Sequence, residues 1–371
     1  KPSGAPDPVF SAPNGNHTEV FGLNVGTYQF SYTTNNGVCG DVNSNIVNII
    51  IRELPTPSAA GISQTTCYNV YATLAAQNVT VGTGKWTVTG LPAGADNTSY
   101  RFDQNNDAAY NSKFAATVAG VYTLTWTTSN GACTSESTTQ VTVQPELVGN
   151  QISISTTESC VGKTVNLRNV TSPSGGAGTY TYKWERKLST ASTWTTITGT
   201  GANLTPTLIN ATTGDLTYEY RRVVTSGNCA ELVSNVVSVL VHPTFTISNN
   251  GISPATSNIC FSGNVGTLIG GTPAGGNGNY TYQWQVSINN TTSYANVPTN
   301  GTFDGTQASY EPATFTNSTN AVITYNYRRV VSSFDCTVLY STPAVITVNP
   351  LPTLTSSTTA TVCSNSLFSY T

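Results

Sequence analysis

The sequence predicts an all-β chain built as a tandem array of small β-sandwiches, and three observations carry that prediction. First, the stretch YEYRRVVTSGNC, Tyr218 to Cys229, returns almost unaltered as YNYRRVVSSFDC, Tyr325 to Cys336. Looser versions stand at TYQFSYTTNNGVC, Thr27 to Cys39, and VYTLTWTTSNGAC, Val121 to Cys133. Second, each is followed by a valine-rich run ending near a proline (NIVNIIIRELP, STTQVTVQP, NVVSVLVHP, AVITVNP), the pattern of a β-hairpin closing a module. Third, the hairpin cysteines step by 94, 96 and 107 residues, while Cys67, Cys160, Cys260 and Cys363 step by 93, 100 and 103. Two interleaved series sharing a period of roughly a hundred residues fit one sandwich per repeat.

On this register residues 1–55 are the C-terminal part of a module, 56–145, 146–243 and 244–350 are complete modules, and 351–371 open a further one. The chain therefore reads as a window on a longer polypeptide, and KPSGAPDPVF says nothing about secretion. In the third module apolar or aromatic residues alternate at Val165 and Leu167, at Tyr180, Tyr182 and Trp184, at Tyr218 and Tyr220, and at Val237, Val239 and Val241, as half-buried strands require. The turn-rich stretch PSGGAG, Pro173 to Gly178, separates strands, and the fourth module repeats the plan with Tyr280, Tyr282 and Trp284 after TPAGGNGN. A Trp on the third strand, a Tyr-rich sixth strand and seven strands in all predict an immunoglobulin-like Greek-key sandwich. Cys160 precedes TVNL and is expected in the turn before the second strand, so the cluster of Trp184, Tyr182 and Tyr220 packs as core without a buried disulfide beneath it.

The run TVCSNSLFSYT, the NGVC and NGAC turns and the YRRVV strand resemble the PKD-like and Ig-like repeats of very large surface proteins of Bacteroidetes. That resemblance implies long arrays on proteins exported by the type IX secretion system, among them gliding-motility adhesins. Its motifs are short and mark a module type, and the sorting domain of such proteins is not in this stretch.

Composition points outside the cell. Charged residues make up 8%, Met is absent, and eight Cys sit at regular positions, which reads as a disulfide framework. No run reaches the eighteen apolar residues of a membrane span. A net charge of −3 leaves no basic patch for nucleic acid.

The census of catalytic groups is poor. His17 and His242 are the only histidines and fall in different modules, so no triad or His-rich metal site is expected; His242 reads as a plain linker residue. The acid pairs Asp215 with Glu219 and Asp304 with Glu311 have no repeated counterpart and read as isolated surface carboxylates. Enzymatic activity and cofactors are not expected. Asp103, Asn105 and Asp107 in DQNND suit a hard cation such as calcium, but Ala108 and Phe114 stand where an EF-hand loop needs Gly and Glu, which favours a solvated turn. Arg221 and Arg222, repeated as Arg328 and Arg329, are the most conspicuous charges. One of each pair should share the face of Tyr218 and Tyr220 and the other lie beside Glu219, with stems over aromatic edges and heads reaching solvent or a carboxylate; the alternative is a glycan-contacting strip. The complete fourth module lacks Lys, which sets aside Lys–Asn crosslinks as a general device, and the sequons at Asn78, Asn169, Asn203 and Asn279 carry little weight in an Asn-rich and Thr-rich chain.

Topology bears on the cysteines. The turn holding Cys67, Cys160 or Cys260 is expected at the C-terminal pole of its module and the hairpin holding Cys133, Cys229 or Cys336 at the N-terminal pole. A seven-residue strand separates the poles by roughly 20 Å, far beyond disulfide reach. The expectation is therefore Cys67 with Cys229 and Cys160 with Cys336, across junctions, leaving Cys39, Cys133, Cys260 and Cys363 for partners outside the window. The alternative is pairing within modules: Cys67 with Cys133, Cys160 with Cys229 and Cys260 with Cys336.

Together these readings predict an extended rod, the shaft of a large secreted cell-surface adhesin or filament that contacts surface or polysaccharide ligands and other envelope or filament components. A passive stalk presenting a distant binding head, or accessory modules of a large secreted enzyme, are the alternatives. Two module subtypes are also expected, the first resembling the second and the third resembling the fourth.

Overall fold

The computed structural model describes residues 1–300, 303–353 and 361–367; the opening of the further module at 351–371 therefore lies partly outside the described residues. Among the described residues every regular element but one short 3-10 turn, Asp103–Asn105, is a strand. By contacts the chain divides into two compact units, Lys1–Gln151 with Val170–Lys183 and Arg222–Asn235, and Ile152–Asn169 with Trp184–Arg221 and Val236–Thr371.

In the first unit Gln64–Cys67, Cys133–Gln144, Gly120–Asn130 and Thr83–Gly90 form one sheet in that order, and Tyr100–Phe102, Lys113–Ala116 and Ala72–Thr73 form a second. Trp86, Trp126, Phe114, Tyr122, Leu124, Val141 and Val143 fill the core. The short strand Gln64–Cys67 runs parallel to the closing strand, with Cys67 opposite Gln144, so both strands finish at the same pole. In residues 1–55 the hairpin of Gly26–Phe30 with Val47–Ile51 buries Tyr28 but leaves Val47 and Ile50 exposed.

The plan recurs twice more along the chain. Glu158–Cys160 runs parallel to Val237–His242, with Cys160 opposite His242. Thr256–Cys260 runs parallel to Ala344–Asn349, with Cys260 opposite Asn349. Each pair continues into a sheet, through Leu216–Thr225, Thr181–Leu188 and Thr195–Ile197 in one case and Ile323–Ser332, Thr281–Ile288 and Ala295–Asn296 in the other. Trp184, Tyr220, Val165, Leu167, Val239 and Val241 make one core, and Trp284, Tyr310, Phe315, Tyr327, Ile346 and Val348 the next. These are tandem immunoglobulin-like β-sandwiches.

Two expectations about local structure are corrected. Cys160 ends a short strand hydrogen-bonded to the closing strand, on the opposite sheet from Leu167–Thr171, rather than standing in a turn before it. Tyr182 is only half-buried and lies under the Arg222 guanidinium, 5.2 Å from ring centre to Cζ.

Candidate functional site: the stapled junctions

Within the first unit Cys67 is bonded to Cys229, with Cα atoms 4.9 Å apart; within the second, Cys160 is bonded to Cys336, with Cα atoms 5.2 Å apart. The sequence separations are 162 and 176 residues, so each bond joins the end of one sandwich to the hairpin of the next. The within-module alternative is not what the structure contains: Cys133, its proposed partner for Cys67, is free, as are Cys39, Cys260 and Cys363. The parallel first strand supplies the physical reason, since it delivers its last residue to the pole where the chain leaves the sandwich.

Around each bond the same parts recur. The residue before the hairpin cysteine reaches back to the preceding sandwich: Asn228 donates through Nδ2 to the Thr65 carbonyl at 2.6 Å, and Asp335 accepts from the Cys160 amide at 2.9 Å and from the Ser159 hydroxyl. A Gly-Gly loop docks on the terminal proline of that sandwich, Gly176 N–H to Pro145 O at 3.0 Å and Gly276 N–H to Pro243 O at 3.3 Å. The tyrosines Tyr180 and Tyr280 brace these loops by donating to Gly175 O at 3.1 Å and Gly275 O at 3.0 Å. Gly175 has φ of +86°, and a Cβ there would collide with the Glu146 carbonyl, so the approach of backbone to backbone requires glycine. The repeated PSGGAG and PAGGNG stretches were the sequence signal for this loop; read alone they indicate only a turn.

His242 is not a plain linker residue. It is 2% exposed and clamped between Asp215, 2.8 Å from Nδ1, and Glu158, 2.7 Å from Nε2. The edge of Phe334 meets its ring, with centroids 6.1 Å apart. Burial opposes the charged form, but the two carboxylates together outweigh it and hold the His242 pKa above its ordinary value. Both ring nitrogens face carboxylates, so neither can serve a nucleophile, and the arrangement clamps an imidazolium rather than building a catalytic base. Asp215, read as an isolated surface acid, is half of that clamp. His17 is exposed.

The arginine pairs separate by face. Arg222 and Arg329, in phase with the inward tyrosines, are 0% and 2% exposed, which corrects the expectation that their heads reach solvent and removes both from a glycan-contacting strip. Arg222 donates from Nε to Asn150 Oδ1 at 2.7 Å, and Arg329 donates to Ala308 O at 2.7 Å and to Gly271 O. Arg221 and Arg328 face outward and are half-buried. Arg221 pairs with Glu185 at 2.7 Å, not with Glu219, which Lys187 holds at 2.9 Å. Its Cζ stacks 4.3 Å over Trp194, and that of Arg328 lies 3.8 Å over Tyr294 and 4.7 Å over Tyr340.

The calcium candidates lie in and just after a 3-10 turn. Asp103 opens the 3-10 turn, Asn105 has φ of +56°, and Asp107 is drawn to Lys85 at 3.6 Å. Among the described residues the one close grouping of three His, Cys, Asp or Glu ligand atoms is Cys160, Asp335 and Cys336, in which both sulfurs are already bonded to each other. No helix among the described residues is long and apolar enough to cross a membrane.

Tandem Ig-like sandwiches joined by disulfides suit an oxidising compartment, where such bonds form and persist. The model of the DUF8696 family, a domain of unknown function, matches residues 148–243 and 249–350; the chain belongs to this family, and no enzymatic family is indicated. The chain is similar to a three-domain immunoglobulin fragment of titin carrying Glu-to-Ala changes, at 12% identity and a TM-score of 0.39, covering 81% of this chain and 100% of that one. It is likewise similar to the eight N-terminal Ig domains of Down Syndrome Cell Adhesion Molecule, at 11% identity and 0.35, over 94% of this chain and 46% of that one. Extracellular domains 3–5 of Drosophila OTK match at 11% identity and 0.31, over 81% and 97%. Among curated proteins none matches the chain in sequence.

Proposed function

We propose that the chain is a length of structural shaft in a large secreted cell-surface adhesin or filament, of the type IX-exported, gliding-motility kind that its PKD-like motifs resemble. The observation that carries this reading is the repeated staple: in two successive places the end of one sandwich is covalently tied to the hairpin of the next. Bonds at such positions resist separation and bending of neighbours, which a load-bearing shaft needs and a set of independently tethered domains does not. Surface or polysaccharide ligands would meet the outward pairs, Arg221 with Trp194 and Arg328 with Tyr294 and Tyr340, because an aromatic face beside a cation stacks on a sugar ring while donating to its oxygens. Electron microscopy of the purified chain tests the shaft: thin rods of uniform width are expected, and compact globules would overturn it. Glycan-array binding that is lost on Trp194→Ala and Tyr294→Ala would favour adhesion along the shaft, whereas no binding would favour a passive stalk.

A further inference from the structure

The two disulfides overlap in sequence. Cys160 lies inside the loop closed by Cys67 and Cys229, and Cys229 lies inside the loop closed by Cys160 and Cys336. Successive disulfide-bonded cysteines are separated along the backbone by 93 residues from Cys67 to Cys160, 69 from Cys160 to Cys229 and 107 from Cys229 to Cys336. Besides the uninterrupted backbone, three covalent routes therefore join Cys67 to Cys336. One crosses the first bond and follows residues 229–336; another follows residues 67–160 and crosses the second bond. The third crosses to Cys229, runs backward along the chain to Cys160, and crosses to Cys336.

We propose that this interlocked pair is a covalent extension limiter that also keeps the chain whole after backbone cleavage. Under tension the shortest route comes taut first, and it is the backward one. It contains 69 backbone steps instead of the 269 between Cys67 and Cys336, about 240 Å of fully extended chain instead of about 940 Å. When it is taut the 93-residue and 107-residue routes are still slack, so the outer sandwiches cannot be pulled out fully whatever the force. Load passes instead through the third sandwich from Cys229 to Cys160. Its core is set between those two anchors, with Trp184, Tyr218 and Tyr220 buried.

The same topology protects against proteases. Cutting the backbone once between Cys67 and Cys336 leaves at least one route intact wherever the cut falls. The two ends separate only when all three intervals have been cut. Pairing within modules would behave differently, because one cut between Cys133 and Cys160 would part the chain. Mechanical use of the limiter rests on the shaft reading, but its existence does not.

Single-molecule stretching of the whole chain tests it, with handles ligated to both termini and the free thiols alkylated beforehand. Reduction should lengthen the limiting contour by about 700 Å. The double variant Cys67→Ser with Cys229→Ser should lengthen it by about 85 Å, and Cys160→Ser with Cys336→Ser by about 130 Å. Cys133→Ser should leave it unchanged. No gain on reduction, or a gain with Cys133→Ser, would overturn the limiter. Non-reducing electrophoresis of protein nicked once between Cys67 and Cys336 gives the second readout: a full-size species that splits only on adding reductant is expected, and two separate pieces without reductant would contradict it. A chain that meets these lengths but images as globules would sink the shaft and leave the limiter standing.

Discussion

The two junctions share one plan and differ in their chemistry. At the first, an amide (Asn228) meets a carbonyl, Gly227 with φ of +57° makes the turn, and Gln144 stands opposite Cys67. At the second, a carboxylate (Asp335) grips an amide and a hydroxyl, Phe334 occupies the left-handed position with φ of +48°, and His242 stands opposite Cys160. The sulfurs differ too: Cys160 and Cys336 are 2% and 7% exposed, packed with Phe245 and Val331, while Cys229 is half-buried. The difference teaches that the staple and the Gly-Gly dock form the common frame, and that charge and ring packing are added to it one junction at a time. After Cys260 the pattern changes again, because Asn349 stands where His242 would and donates to Asn258 in place of an ion pair.

The largest expected effect is loss of a staple. Removing either bond opens a loop of 162 or 176 residues and should cost about 5 kcal/mol on the chain-entropy model, read as a lowered denaturant midpoint. Under graded dithiothreitol the Cys67–Cys229 bond should be reduced first, because Cys229 is half-buried and the other bond is enclosed; alkylation trapping with mass analysis gives the order. Equal rates at both bonds would mean that packing around Cys160 does not distinguish the junctions.

Next is the dock. Gly175→Ala should destabilise by about 2 kcal/mol or more, since it adds a Cβ at φ of +86° against the Glu146 carbonyl. Gly178→Ala, with φ of +80° and nothing within 4 Å, should show only the backbone cost of about 1 kcal/mol. Thermal melts of the two variants compare them, and equal losses would remove the dock from the account.

The smallest effect sharpens the charged junction. His242 holds its proton more tightly in the folded state than its ordinary value of 6.5, through Asp215 and Glu158. Its contribution is therefore complete below pH about 6.5 and is lost as pH rises through the higher folded value. Stability against urea, followed from pH 5 to 9, should fall over that window in the natural chain and stay flatter in His242→Gln. A parallel fall in both would place the pH dependence elsewhere.

Much of the fold was legible in the sequence because strand alternation is local: Tyr218 and Tyr220, or Val239 and Val241, declare their inward face within three residues. Arg222 follows the same phase and is therefore inside, although its amide partner Asn150 lies 72 residues earlier. His242 was misread for a similar reason. Its clamp comes from Asp215 and Glu158, 27 and 84 residues away, and neither acid is marked by any repeated motif. The Gly-Gly loops were visible as turns, but their target is the carbonyl of a preceding proline, which no pattern of side chains encodes. Tyr182 shows the limit of periodicity: alternation sets the face of a strand and says nothing of what covers it, here the Arg222 guanidinium.

The central claim is the crossed connectivity, and peptide mapping of the unreduced protein by mass spectrometry tests it most directly. After alkylation of free thiols and digestion, the account predicts two linked peptide pairs, one containing Cys67 and Cys229 and the other Cys160 and Cys336, each dissolved by reductant. A linked pair containing Cys67 and Cys133, or Cys160 and Cys229, would contradict it.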